Sequence, residues 1–97
     1  MSSLEVRTFV VIGTAHVTEA SAKLLDTVPS SQWPCVGGRY GDYGWFLHAH
    51  EENCGTGKDR IPDDIFAVMT WARQQGFEYV LVDCDADSVD GLPSYDW

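Results

Sequence analysis

The sequence is poor in cations: six Lys and Arg stand against fifteen Asp and Glu, a formal net charge of −9. Free nucleic acid is therefore a disfavoured ligand, because its phosphates need Lys and Arg where they dock. Long apolar runs are lacking too. The longest, Phe9-Val10-Val11-Ile12, falls far short of the roughly 20 residues that span a bilayer. MSSLEVRTF has no basic stretch followed by an apolar one, so no secretory signal is expected. Cysteine is scarce, and Cys35, Cys54 and Cys84 are odd in number and unrelated in spacing. That argues against a disulfide scaffold and for a reducing cytoplasm. Internal repeats and low-complexity segments are absent.

What is present suits one globular domain over residues 1–97, 44% hydrophobic and 12% aromatic with four Trp. Leu4 to Gly13 reads as a strand whose second half is apolar on both faces, as expected of an interior strand. Thr18 can cap a helix over Glu19–Thr27, with Val17 and Ala22 placed as a staple and Val28-Pro29 ending it. Arg39 to His50 is strand-like, with room for a hairpin near Gly41-Asp42. In it Tyr43, Trp45, Leu47 and Ala49 share one face, and Phe46, His48 and His50 the other. Pro62 suits a helix start and Asp63 and Asp64 its positive end. Ile65, Val68, Met69 and Ala72 then follow helical spacing up to Gly76. Phe77 to Val82 is a further strand. The order β-α-β(β)-α-β predicts a small α/β (α+β) two-layer sandwich with helices on one face of the sheet. A ferredoxin-like arrangement is one way to connect it.

The negative charge is concentrated late. Residues 1–27 and 28–60 each carry a net −1, whereas 61–97 carry eight acids against Arg73 alone, a net −7. Asp83, Asp85 and Asp87 alternate, so a continuing strand would project them to one side at about 6.6 Å intervals. Asp-x-Asp-x-Asp also opens a calcium-binding EF-hand loop, but the required Gly is Ser88 and the closing Glu is Ser94. A looser Mg²⁺ site is the remaining metal reading there. His48 and His50, with Cys54 four residues on, have a zinc-like spacing and lack a nominated fourth ligand. Cys84 between two aspartates is a poor nucleophile, because nearby negative charge disfavours the thiolate. Gly55-Thr56-Gly57-Lys58 is not a phosphate-binding loop, since Glu52 and Asp59 replace residues that such a loop requires. Trp33, Trp45, Tyr43, Tyr95 and Trp97 can serve either the core or an interface.

Gly13-Thr14-Ala15-His16-Val17-Thr18 after a strand, Gly44-Trp45-Phe46, Ile61-Pro62-Asp63-Asp64, and Asp90-Gly91-Leu92-Pro93-Ser94-Tyr95-Asp96-Trp97 at the end resemble a family of small uncharacterised bacterial proteins. The resemblance implies plasmids and integrating mobile elements as genomic context, often near genes that counter host defence, and no activity. Where such proteins carry a basic residue between the two aspartates of Val82-Asp83-x-Asp85, this chain has Cys84.

Together these features predict a non-enzymatic, acidic protein-binding inhibitor of a host defence complex, of the anti-CRISPR or anti-restriction type. Its partner would be a basic nucleic-acid-binding surface, with no cofactor, metal or membrane involved. The expected contact residues are Asp83, Asp85, Asp87, Asp90 and Asp96, joined by Asp63, Asp64 and Glu78, with Tyr95 and Trp97 as apolar anchors. The alternative is a metal-dependent hydrolase or phosphoryl-transfer enzyme with Asp83 and Asp85 on Mg²⁺ and His16 as acid or base.

Overall fold

The computed structural model describes residues 4–53 and 55–96. Four strands, β1 (Phe9–Gly13), β2 (Gly37–Tyr40), β3 (Gly44–His48) and β4 (Tyr79–Asp83), form one mixed sheet in the order β1-β4-β3-β2. Two helices, α1 (Glu19–Thr27) and α2 (Asp63–Gln74), lie between strands in sequence. The α+β class and the element order are those expected. Of the connections open to that order, the chain uses one in which β4 sits between β1 and β3, parallel to β1 and antiparallel to β3. This pairing differs from the split βαβ of the ferredoxin-like arrangement.

Local chemistry accounts for the elements. The Thr18 side-chain oxygen accepts from the Ser21 N–H at 3.2 Å and caps α1. Helix α2 follows Pro62, buries Ile65, Val68, Met69 and Ala72, and gives way to Gly76 at a φ of 90°. The β2–β3 hairpin turns through Gly41, whose φ of 52° lies in the left-handed region.

The strand register separates two faces. Rows Val10-Val80-Leu47-Gly37 and Ile12-Val82-Trp45-Arg39 face the helices. There Ile12, Leu47, Val80 and Val82 are fully buried and join Leu25, Ile65, Val68 and Met69 in one core. Trp33 and Trp45 also belong to it, their indole N–H groups donating to Val28 O at 2.8 Å and Asp26 Oδ1 at 3.0 Å. Rows Phe9-Tyr79-His48 and Val11-Leu81-Phe46-Gly38 form the opposite face, which neither helix covers.

Two expectations about β1 are corrected. It begins at Phe9, not Leu4, because its one neighbour, β4, begins pairing at Tyr79 opposite Phe9. It is also an edge strand, not an interior one. Phe9 and Val11 are 48% and 41% exposed, although the strand is apolar on both faces.

Candidate site at the acidic end of the sheet

Parallel pairing of β1 and β4 brings the C-terminal ends of both strands together. Helix α1 starts just beyond β1, and α2 returns so that its first turn lies beside the first turn of α1. The contact is direct. Asp64 accepts from the Thr18 N–H at 2.8 Å and from the Ser21 hydroxyl at 2.7 Å. Asp64 is thus occupied in joining the two helix starts, whereas exposed Asp63 pairs with Arg60 at 3.0 Å. Glu78 lies at the other end of β4 and pairs with Arg7 at 2.8 Å, so it does not join this group.

The strand does not continue into the Asp-x-Asp-x-Asp stretch. Asp83 ends β4, its Oδ1 accepting the Asp85 N–H at 3.0 Å and its carbonyl the Ala86 N–H at 3.1 Å. This is an Asx-type turn, with the side chain replacing a backbone partner. Asp83, Asp85 and Asp87 are therefore not a ladder on one strand face. The chain turns back over β1, and a Cβ on Gly13 would lie 2.7 Å from Ala86 O. Only a residue without a side chain admits that crossing.

His16 fastens the segment beyond this turn. It is 1% exposed. Its Nε2 accepts the Val89 N–H at 2.9 Å, which leaves the proton on Nδ1 to donate to Pro93 O at 2.8 Å. The Tyr95 N–H adds a bond to Ala15 O at 2.8 Å. Val89 and Leu92 pack against the core. The segment is thereby laid against the Thr14–His16 turn that precedes α1, with Gly91 beside the Trp71 indole, carrying Asp85, Asp87, Asp90 and Asp96 outward, all exposed. Among the described residues, no cation lies within ion-pairing distance of Asp83, Asp85, Asp87, Asp90 or Asp96. Arg7, Lys23, Arg39, Arg60 and Arg73 pair with Glu78, Glu19, Asp26, Asp63 and Glu51 instead. Tyr95 is half-buried, and Trp97 lies outside the described residues.

Both ring nitrogens of His16 are committed to backbone partners. One group with metal-compatible spacing occurs among the described residues: Asp83, Cys84 and Asp85 offer ligand atoms within 4.8 Å of one another. The donor set fits poorly, because carboxylates suit hard cations while a thiolate suits soft ones. Desolvation and the charges of Asp85 and Asp83 also push the Cys84 thiol up, away from the thiolate. His48 and His50 stand side by side, ring centroids 5.2 Å apart, and His50 Nε2 already accepts the Val36 N–H at 3.0 Å. Cys54, the third member of that grouping, lies outside the described residues. No described helix is long and apolar enough to cross a membrane.

Residues 9–97 match the family described as "Family of unknown function (DUF5983) C-terminal domain". The chain belongs to the DUF5983 family. No curated protein and no solved structure matches it. What the sequence left unnoticed in this DUF5983 domain is the uncovered sheet face and its chain of rings. Phe9 meets Phe46 edge-on at 5.5 Å, Phe46 stacks on Tyr79 at 5.3 Å, and Tyr79 meets His48 at 5.3 Å. The signal was available in the doubly apolar β1 and in Phe46 and His48 sharing a face.

Proposed function

We propose that this domain is a non-catalytic, acidic protein-binding module that presents carboxylates to a basic, nucleic-acid-binding surface of a host defence complex, of the anti-CRISPR or anti-restriction type. One observation carries the reading: Asp83, Asp85, Asp87, Asp90 and Asp96 are held at one end of the molecule without compensating cations among the described residues. A fixed cluster of uncompensated acids repels nucleic acid and attracts the Lys and Arg that normally hold it. The defence setting rests on the resemblance in Thr14-Ala15-His16 and Leu92-Pro93-Ser94-Tyr95-Asp96-Trp97. Tight anchoring by His16 favours the same function, because ordering the acids beforehand lowers the entropy cost of docking.

The test is capture of host-lysate proteins on the tagged domain at low and at high salt. A nucleic-acid-binding complex retained at low salt, released at high salt, and lost on reversing Asp85, Asp87 and Asp90 to Lys is the expected outcome. Retention that ignores both salt and the reversals overturns the charge mechanism.

A further inference from the structure

The uncovered sheet face ends at the acidic cluster. Its third row is Gly13-Asp83-Gly44-Tyr40, so Asp83 stands between two glycines at the edge of the apolar rows. Gly44 has no alternative there, since a Cβ on it would collide with the Val82 carbonyl. The β2–β3 turn adds Asp42 and Tyr43 at the same corner, where the Cys84 N–H donates to Tyr43 O at 2.7 Å. Tyr40 and Tyr43, 46% and 56% exposed, pair at 6.0 Å. Strand positions facing this side carry no Lys or Arg.

Leu81 shows how apolar the surface is. It is 7% exposed yet stands outside the core cluster, shielded on the open side by Val11 and Phe46 beside it in the row. From strand spacing and rise, the three rows together span about 19 Å by about 16 Å, on the order of 300 Å², with the Gly13 corner lying under Ala86. That area is well below the roughly 800 Å² that each partner contributes to a standard interface. An occupant therefore continues past the face, and the adjoining surface at the Asp83 end is acidic.

We infer that the open sheet face is the apolar half of a composite docking surface, and that its occupant is a partner protein presenting an apolar strip with arginines at one end. The inference rests on the charge reading above and supplies the anchoring that carboxylates alone lack. Charge selects the occupant. A second copy would bring its own net −9 against Asp42, Asp83 and Asp85. Nucleic acid would stack on the rings but meet the same acids with no cation beside them. Arginine suits the corner better than lysine, because its planar guanidinium stacks on a tyrosine face while pairing with a carboxylate.

The test is an amide-resolved NMR titration of the isotope-labelled chain with three synthetic peptides: alternating Leu/Arg, oligoarginine and alternating Leu/Glu. Leu/Arg is expected to shift amides of β1, β3 and β4 together with residues 83–85, and Leu/Glu to shift neither group. Val11→Lys, at an exposed position, should weaken Leu/Arg binding about tenfold, a loss of about 1.4 kcal/mol, with oligoarginine binding kept. Shifts confined to residues 83–96 with both cationic peptides overturn this inference and leave the charge reading standing. Indifference to both cationic peptides overturns both. Equal binding of Leu/Glu, or concentration-dependent dimerisation abolished by Val11→Lys, assigns the face to a different occupant and also overturns the inference.

Discussion

The two faces of this sheet are built from similar residues and end in opposite environments. On one, Ile12, Leu47, Val80 and Val82 have no exposed surface; on the other, Phe9 and Val11 keep nearly half of theirs. A strand's apolarity therefore reports what it could cover and not what covers it. The helices explain the asymmetry. Both α1 and α2 pack on the side of Ile12 and Val82, and the described residues form no third α-helix for the other side.

Substitution sharpens that contrast most strongly. Leu47→Ala should cost about 2–5 kcal/mol, as large-to-small changes in closed cores do. Val11→Lys, on the same sheet but the open face, should change stability by less than about 1 kcal/mol. Urea midpoints of the two variants measure this, and equal losses would mean that the open face is packed after all.

The next effect concerns the acidic segment, which is surface and yet fastened like core. His16→Ala removes both partners of the ring and leaves the Val89 N–H and Pro93 carbonyl to find others. The expected loss is about 2–4 kcal/mol, with groups left unsatisfied costing more than the bonds themselves contributed. Limited proteolysis should then cut within residues 84–96 before the sheet. If cleavage there is unchanged, the segment is held by Val89 and Leu92 packing and not by the imidazole.

The smallest effect concerns His50, just past the end of β3 and beside His48. Burial, followed by the neighbouring charge of His48, holds His50 below its ordinary value of 6.5. The unfolded chain therefore takes up that proton first as pH falls. His50's contribution is present above pH 6.5, declines below it, and is lost once pH passes beneath the lowered value. Protonation also removes the acceptor of the Val36 N–H. His50→Gln should flatten that part of the stability–pH curve between pH 7 and pH 5, measured by urea melts. An unchanged curve would locate the dependence elsewhere.

Local features were legible in the sequence and distant ones were not. The span of α1 follows from Thr18 and Val28-Pro29, because caps and stops act within a few residues. The stripe Ile65, Val68, Met69 and Ala72 gave α2 its buried face for the same reason. Where β1 begins is not legible locally, because its limit is set by where β4 begins, far along the chain. Asp83, Asp85 and Asp87 suggested a ladder because alternation cannot reveal that the Asp83 carboxylate will take the Asp85 N–H and turn the chain. His16 gave no sign of its role, since both its partners are backbone atoms, of Val89 and Pro93. The late concentration of acid was plain in the composition, but its division between Asp83–Asp96 at one end and Glu78 at the other needed the strand order.

The partners of His16 lie 73 and 77 residues away along the chain, and β1 finds its strand neighbour only in β4. During synthesis, Phe9-Val10-Val11-Ile12 thus leaves the ribosome long before anything exists to pair with it. Closing so long a loop is slow compared with forming a helix. The emerging chain therefore carries an unpaired apolar strand until residues 79–83 have followed it out, an interval in which transiently exposed apolar surface is prone to aggregate.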